Sequence, residues 1–296
     1  ASAEVFNSSV KEKETLNKRV TLLPEQIEYA RENKNRLLEY LKTELSSRLD
    51  TQAGYWLQGS YKNHTLIRPV RKGEEFDIDA GVYLFFNAEN KGIRASDAKQ
   101  ILRSVLSHYC AENSEAKLAE SKPNCERIQY PGSFHIDLPL YYFDKETNTC
   151  RLATDNSGWI DSDPKSLQDW FDDRVRPLSD SQKARLRRVI KNLKTWVCLK
   201  GINLPSIAIT VFIAERFQDF ETDDDAFIQN AANIANHLIG GAQIISPING
   251  DDLIGGTEQD IEQLSQELAS MLDNLQLALD SGSAIEAHPY WTQVFE

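Results

Sequence analysis

The sequence predicts an α+β fold, with a mixed sheet, a long helix near the N-terminus and a helical C-terminal lobe. Three observations support this prediction. Segments typical of strands lie at 55–58, 76–84 and 133–142, and the last two alternate between apolar and polar residues. Leucines and isoleucines recur at helical spacing over 21–49. Beyond residue 165 the pattern is mainly helical.

The chain length limits the number of domains. At 296 residues it exceeds the usual size of a single domain, so we expect one large domain or two closely packed domains. Asp, Asn, Ser and Gly cluster between Asp155 and Asp163 and mark the boundary. We therefore predict a core with the long helix over 1–160 and a helical lobe over 161–296.

The individual elements follow from periodicity and from turn residues. Pro24 suits the first turn of the long helix. A second helix is predicted over 95–110, followed by strands near 117–119 and 127–130. The helices of the lobe are predicted over 165–174, over 181–200, from Leu204-Pro205-Ser206 onward and over 258–279, and the tail at 288–291 is expected to pack on the body.

The charge distribution argues against a nucleic-acid partner. The net charge is −12, and residues 217–296 contain 15 Asp or Glu and no Lys or Arg. A surface that grips a nucleic-acid backbone needs clustered Lys and Arg. The largest basic cluster instead lies on one predicted helix, Ser181–Lys200, which carries seven Lys or Arg and no acid. Such a run is usually a solvated face, and the alternative is that it supplies counter-charge to a triphosphate.

Cysteines and apolar runs indicate the compartment. The four cysteines form no C-x-x-C pair and no Cys/His cluster, which disfavours both structural zinc and a disulfide framework. No apolar run approaches 18 residues, and the N-terminus lacks the apolar region of a signal peptide. We expect a cytoplasmic protein with no membrane partner.

Two carboxylates share one face of the predicted strand at 76–84. Side chains alternate along a strand, so Asp77 and Asp79 point the same way while Phe76 and Ile78 point into packing. Two like charges on one face raise each other's pKa and cost stability unless a cation bridges them. The pair therefore predicts a site for a hard metal ion such as Mg²⁺.

A small-residue turn, Gly59-Ser60, precedes this strand. It follows the apolar segment 55–58, and backbone N–H groups are exposed at such a turn into a helix. With the Ser60 hydroxyl, and with Lys62 or Arg68 nearby, the turn suits a triphosphate. A lone Gly-Ser is more often a plain turn, and its combination with the Asp-x-Asp strand makes the prediction specific.

A third acid lies on the predicted strand at 133–142. There His135 and Asp137 share one face, and Asp137 completes a set of three carboxylates. Three carboxylates hold two Mg²⁺ roughly 3.5–4 Å apart in two-metal sites, where one ion activates a hydroxyl and the other clamps phosphates. This is the arrangement used in nucleotidyl transfer.

These residues resemble the core of the polymerase-beta-like nucleotidyltransferases, and within them the bacterial cGAS/DncV-like family. The resemblance spans about residues 20 to 255 and is strong between 54 and 140. It is carried by the segments Gln58-Gly59-Ser60-Tyr61, Thr65-Leu66-Ile67-Arg68-Pro69, Phe76–Leu84 and His135-Ile136-Asp137-Leu138-Pro139, and more weakly by Leu193-Lys194-Thr195-Trp196 and Leu204-Pro205-Ser206.

The resemblance implies a site and an activity. It implies that Asp77, Asp79 and Asp137 are catalytic and hold two Mg²⁺, with Mn²⁺ as an alternative. The nucleotide contacts that it implies are Gln58, Gly59, Ser60, Lys194 and Ser206. The implied activity joins nucleoside triphosphates, ATP or GTP or both, into a cyclic di- or trinucleotide messenger of bacterial anti-phage defence. We expect a monomer without a nucleic-acid activator.

Two other functions remain open from the sequence. One is a template-independent transferase that modifies RNA or protein, and the other is a nucleotide-binding protein without catalysis. The low basic charge argues against RNA, and the three intact acids argue against a silent protein.

Several other residues have two interpretations each. Ser206 is either a helix-start hydroxyl or a nucleotide contact. Tyr61, Tyr83 and Trp196 either stack on a base or, more commonly, pack in the core. Asp251 or Asp252 either accepts from a base amine or caps the next helix.

Overall fold

The chain forms two compact units. The computed structural model describes residues 1–8 and 14–296. One unit comprises residues 23–168, and the other comprises 1–22 together with 169–296. The first 22 residues, which the predicted boundary assigned to the core, thus pack with the C-terminal helices.

Along the described chain, short helices and one long helix precede a sheet region, and only helices follow it. The first helices are α1 (Ser2–Asn7), α2 (Leu16–Val20) and the long α3 (Pro24–Arg48). The sheet region contains β1 (Ala53–Gln58), α4 (Gly59–Asn63), β2 (Phe76–Leu84), α5 (Ala95–Glu112), β3 (Lys117–Leu118), β4 (Glu126–Tyr130), β5 (Phe134–Leu138), β6 (Leu140–Asp144), β7 (Thr149–Ala153) and β8 (Trp159–Asp161). The last helices are α6 (Pro164–Val175), α7 (Asp180–Lys200), α8 (Ser206–Arg216), α9 (Asp223–Leu238), α10 (Glu258–Leu279) and α11 (Ala284–Phe295).

The sheet is mixed, as predicted, and β2 lies at its centre. One edge of β2 pairs with β1 in antiparallel fashion. Its other edge pairs in parallel first with β5 and then with β6, which are separated only by Pro139. β3 and β4 continue the sheet beyond β5, while β7 and β8 continue it beyond β6. Because β4 pairs with β5 and β7 pairs with β6, one half of the sheet ends in β3–β4 and the other in β7–β8.

The faces of β2 have opposite characters near its start. Phe76, Ile78 and Ala80 are buried, whereas Asp77 is exposed and Asp79 is partly exposed. The helices α3 and α5 pack together, with α3 also against β1 and α5 also against β4, β6 and β7. The predicted alternation along β2 is therefore observed, and the carboxylates lie on its less buried face.

Farther along β2, the carboxylate face becomes an aromatic core. Tyr83 is 1% exposed, and its ring centroid lies 4.4 Å from that of Trp56 and 4.9 Å from that of Tyr141. Trp196, in the other unit, is also buried. Tyr83 and Trp196 are therefore core residues, which is the commoner of their two interpretations, whereas Tyr61 is partly exposed.

The unit formed by 1–22 and 169–296 has an aromatic centre of its own. Trp291 of α11 is fully buried, with its ring centroid 4.8 Å from that of Phe6 in α1 and 6.0 Å from that of Phe227 in α9. The tail thus packs on the body as predicted. Burial of α1 against α9 and α11 explains why the N-terminal segment belongs to this unit.

The predicted capping role of Asp251 and Asp252 is wrong. The helix that follows them, α10, is capped by Thr257, whose hydroxyl accepts from the Asp260 N–H. Asp251 instead bonds with Asn249 within its own turn, and Asp252 forms a bridge with Ile245. Neither aspartate reaches a helix start because five residues of loop separate Asp252 from α10.

Two smaller points complete the fold. Pro205 stands at the N-cap of α8, one residue before the predicted first-turn position. In the described ranges, no helix combines the length and the apolarity needed to cross a bilayer.

Candidate active site

Four neighbouring strands bring one polar row together. In register, Gln58 of β1 lies beside Asp79 of β2, Asp79 beside Asp137 of β5, and Asp137 beside Arg127 of β4. Directly paired residues of adjacent strands project their side chains to the same face. Two acids predicted from separate segments are thus adjacent, and a cation follows them in the row.

Asp77 belongs to the next row and is held by a histidine. His135 lies beside it in register, and the imidazole Nε2 is 2.9 Å from Asp77 Oδ1. The other ring nitrogen, Nδ1, is 3.1 Å from Glu75 Oε2. Burial lowers the pKa of His135, but the hydrogen bond and charge of Asp77, together with the hydrogen bond of Glu75, outweigh burial and raise the pKa above its usual value. The Asp77 side chain is nevertheless 50% exposed and accessible to a ligand.

Asp137 is held by an arginine. Arg127 donates from Nε to Oδ1 at 2.5 Å and from Nη2 to Oδ2 at 2.8 Å, the bidentate geometry that matches a guanidinium to a carboxylate. Lys122 adds a second cation, with Nζ 3.7 Å from Oδ2. Hydrogen bonding to Asp137 raises the pKa of Arg127, and the charge of Asp77 raises it further, so the arginine is cationic.

The Gly59 turn lies directly against Asp79. Gly59 has a φ of +63°, in the left-handed region, and a Cβ built on it would lie 2.7 Å from Asp79 Oδ2. Both the backbone conformation and the close approach require glycine at this position. The turn and the second carboxylate of β2 therefore form one continuous surface.

Gln58 and Ser60 flank this glycine. The Gln58 side chain hydrogen-bonds to Tyr141 and so contacts the aromatic core. This bond acts to lower the pKa of Tyr141, but burial is the larger effect and raises the pKa to about 12. Ser60 is the second residue of α4, and its carbonyl accepts the Thr65 N–H at 2.9 Å. Gln58 is the N-cap residue of α4 and makes no side-chain cap, so the first N–H groups of α4 are not satisfied by that side chain.

The side chains of this face fit a divalent cation. Ligand atoms of Asp77, His135 and Asp137 all lie within 4.8 Å of one another. Asp79 joins them on the same face, beside Asp137. Carboxylate oxygens are the donors that Mg²⁺ and Mn²⁺ prefer, and the imidazole adds a nitrogen ligand suited to transition metals.

Lys194 and Ser206 belong to the other unit. Lys194 is 6% exposed, in the buried stretch of α7, and Ser206 is exposed as the first residue of α8. The Ser206 carbonyl accepts from the Thr210 hydroxyl. The six other predicted site residues, in contrast, lie together at the start of β2 and its neighbours.

Part of the basic helix has a structural task. Arg185 pairs with Asp219 at 2.8 Å and with Asp223 at 3.3 Å, and Arg188 pairs with Asp223 at 2.9 Å. Lys191 donates to the Thr21 hydroxyl. The two arginines are thus paired with aspartates of their own unit, and Lys191 is hydrogen-bonded there. The positive charge available to a ligand on this helix is therefore smaller than its seven Lys and Arg suggest.

Sequence reasoning missed Arg127 and gave no role to His135 or Glu75. A signal for Arg127 was available, because Pro131-Gly132 is a turn between the strands that became β4 and β5. A hairpin closed there pairs Arg127 with Asp137. The contacts of His135 with Asp77 and Glu75 could not be found in this way, because they depend on the parallel pairing of β5 with β2.

Several known proteins are similar to this chain in sequence. A family model described as cyclic GMP-AMP synthase DncV-like, nucleotidyltransferase domain, matches residues 53–141. A cyclic GMP-AMP synthase of Escherichia albertii is 36% identical over 299 residues, covering 99% of this chain and 66% of the relative. One from Vibrio cholerae serotype O1 is 29% identical over 187 residues, covering 48% of this chain and 42% of the relative. The chain thus spans about two thirds of the first relative and less than half of the second.

Solved structures confirm the fold. The crystal structure of Vibrio cholerae DncV in its 3'-deoxy ATP bound form has a TM-score of 0.82 and 20% sequence identity, covering 99% of this chain and 95% of that one. The same protein in complex with a linear intermediate has a TM-score of 0.74 at 20% identity, covering 95% and 92%. With the polar row of β1, β2 and β5 inside the matched segment, these similarities show that the chain belongs to the DncV-like nucleotidyltransferase family.

Proposed function

We propose that this protein joins nucleoside triphosphates into a cyclic dinucleotide. One observation carries the proposal: Asp77, Asp79 and Asp137 share one face of parallel neighbouring strands, directly beside the Gly59 turn. A metal-dependent site for phosphoryl transfer combines a carboxylate cluster with backbone N–H groups that donate to phosphate oxygens. This face has both.

In this proposal, Asp77, Asp79 and Asp137 hold the divalent ions, Mg²⁺ or Mn²⁺. When bound, the metal lowers the pKa of an attacking hydroxyl and offsets phosphate charge. The protein's own task is to fix the three carboxylates. His135 contacts Asp77, Asp79 fits closely against Gly59, and Arg127 donates to both oxygens of Asp137.

We propose that the nucleotide binds at the Gly59-Ser60 turn. The proposed substrates of the enzyme are ATP and GTP. The N–H groups of the first turn of α4 and the Ser60 hydroxyl would receive the phosphates, with Gln58 as a further contact. The choice of ATP and GTP is supported by the relatives named cyclic GMP-AMP synthase.

Cyclisation suits the charge pattern better than elongation. A polymerising enzyme must accommodate a growing chain of phosphates, which requires a basic track. Here residues 217–296 carry 15 acids and no Lys or Arg, and Arg185 and Arg188 are paired with aspartates. We propose a short cyclic product, formed without a nucleic-acid activator by a monomeric cytoplasmic enzyme of anti-phage defence.

The test is product analysis with purified protein, four labelled triphosphates and Mg²⁺ or Mn²⁺. We expect a compact product from ATP and GTP that survives phosphatase followed by an exonuclease requiring a free end. A ladder of lengthening oligomers, degradation by that enzyme pair, or an absolute need for added DNA or RNA contradicts the proposal. Labelled RNA or protein as the product would identify a template-independent transferase instead.

A further inference from the structure

Both oxygens of Asp137 are engaged by a cation that belongs to the protein. Arg127 forms its two hydrogen bonds with a side chain that is only 20% exposed, against a carboxylate that is 15% exposed. Lys122 lies 3.7 Å from one of the same oxygens. Asp137 therefore has two cationic neighbours that belong to the protein.

The strand that carries Arg127 is fixed from behind. Its neighbour Glu126 points to the opposite face, is 1% exposed and accepts from Arg103 at 2.7 Å. Lys99, which is also buried, lies 3.9 Å from Glu126 and donates to the carbonyl of Lys122 at 2.6 Å. Because this network holds both β4 and the loop before it, Arg127 and Lys122 are presented to Asp137 by an anchored backbone.

We propose that Arg127 lowers the affinity of this site for divalent metal ions. A metal ion that binds Asp137 must either displace the guanidinium or bind close to its positive charge. This inference rests on the proposed function, because it concerns the same three carboxylates. It assigns to Arg127 a role that the carboxylates themselves cannot have, which is to oppose metal binding in the nucleotide-free protein.

The charge of Arg127 determines the sign of the effect. An ordinary outer partner of a metal ligand is a neutral or anionic group that orients the ligand, and its removal weakens metal binding by about 10–100-fold. A guanidinium instead carries a full positive charge, which repels a divalent ion at short range in a partly buried site. It also occupies the oxygens on which the ion would bind. Removal of Arg127 should therefore strengthen metal binding.

The experiment measures Mn²⁺ binding to the nucleotide-free full chain by the loss of the electron paramagnetic resonance signal of free Mn²⁺. We expect Arg127→Gln to tighten binding by about tenfold or more, since a partner charge is removed from a partly buried site. Arg127→Lys keeps the charge but cannot occupy both oxygens, so its affinity should lie between those of the wild type and Arg127→Gln.

The matched control is Arg151→Gln. Arg151 lies on β7 in the same unit and is 33% exposed. It pairs with Glu89 and Asp161, each at 3.0 Å, and with none of the three acids proposed to hold metal in the described ion pairs. We expect its Mn²⁺ affinity to equal that of the wild type. Asp137→Asn should weaken binding, which locates the ion.

Three results overturn the inference: Arg127→Gln with unchanged affinity, Arg127→Gln with weaker affinity, or no saturable Mn²⁺ binding by either protein. Circular dichroism checks that each variant is folded, and if Arg127→Gln is unfolded, Arg127→Lys decides by the same criterion. The outcome is separable from that of the proposed function. A wild-type protein that forms no cyclic product but shows the predicted change in Mn²⁺ affinity contradicts only the proposed function.

Discussion

Three aspartates of one face have three different surroundings. Asp77 is half exposed and bonded to His135, Asp79 abuts the backbone of Gly59, and Asp137 is clasped by Arg127. Substitution of each aspartate therefore disrupts a different set of contacts. Asp77 is the most accessible to a ligand, whereas changes at Asp137 also release a cation.

At the residue scale, Asp77→Asn and Asp79→Asn should each abolish nucleotide joining without unfolding the protein. Asn retains the side-chain size but cannot neutralise a metal ion, and the buried face of β2 is unchanged. A loss of several kcal/mol of transition-state stabilisation corresponds to at least about a hundredfold in rate. The rate of product formation and the thermal unfolding curve check this, and a double variant that retains substantial Mg²⁺-dependent activity contradicts the metal assignment.

A second prediction at this scale concerns Gly59. Gly59→Ala must adopt a left-handed conformation, which costs about 1–2 kcal/mol, and its Cβ would lie 2.7 Å from Asp79 Oδ2. We expect Asp79 to shift and activity to fall by about a hundredfold, the scale of a 1 Å misplacement. The measurements are the free energy of unfolding and the rate of nucleotide joining.

Gly92 provides the matched control for Gly59. It has a φ of +71° in the same unit, but no atom lies within 4 Å of a Cβ built on it. Gly92→Ala should therefore lose similar backbone stability and keep its activity. Equal activity losses in the two variants would show that the effect of Gly59→Ala is general destabilisation and not displacement of Asp79.

At the scale of the element, β4 depends on a buried charge network. Glu126 accepts from Arg103 and from the Ser121 hydroxyl, and Lys99 lies near it in a side chain that is 4% exposed. Glu126→Ala removes the carboxylate that accepts from Arg103 and Ser121, while the buried Lys99 keeps its closer ion pair with Asp155 at 2.7 Å. We expect a loss of about 1.5–3 kcal/mol in the free energy of unfolding, measured in urea, the usual contribution of a hydrogen bond to a charged group.

The comparison for Glu126 is a solvent-exposed ion pair of the same unit. Glu28 pairs with Arg31 at 2.6 Å on the surface of α3, with both side chains at least half exposed. Glu28→Gln should change the urea midpoint little, because solvent screens such pairs. A Glu126→Ala variant as stable as Glu28→Gln would show that the network does not anchor β4.

At the scale of the whole molecule, the unit of 1–22 and 169–296 depends on one buried acid. Asp223 is 5% exposed and receives hydrogen bonds from Arg188 and from Asn17, which precedes it by 206 positions. Burial acts to raise the pKa of Asp223, but the bonds from Arg188 and Asn17 outweigh it and lower the pKa below its usual value. Asp223 thus joins the N-terminal segment to α7 and α9.

The pH dependence of this contribution has a defined sign. Because the pKa of Asp223 is lower in the folded protein, its stabilisation is present above the unfolded pKa of about 3.9 and is lost as pH falls through the folded value. Asp223→Asn should reduce the free energy of unfolding by about 1.5–3 kcal/mol at pH 7. The difference from the wild type should shrink below about pH 4. Urea unfolding at pH 7, 5, 4 and 3 measures it, and a difference independent of pH contradicts the prediction.

The sequence by itself determined whatever depends on local periodicity. Alternation along a strand places Asp77 and Asp79 on one face wherever the strand lies in the sheet. Helical spacing likewise predicted α10 over its observed range and α3 to within three residues at its start. The nucleotidyltransferase class followed from the resemblance of these segments to a known family, which the similarities of sequence and structure confirm.

Tertiary structure alone decided which groups face one another across distant segments. The contact of His135 with Asp77 requires the parallel pairing of β5 with β2, and the burial of Tyr83 requires Tyr141 of β6 beside it. The N-terminal segment joins the C-terminal helices through the packing of Phe6 on Trp291 and the hydrogen bond from Asn17 to Asp223. Periodicity fixes the side of an element on which a residue lies, but the partner on that side is fixed by the burial and charge of residues far away in sequence.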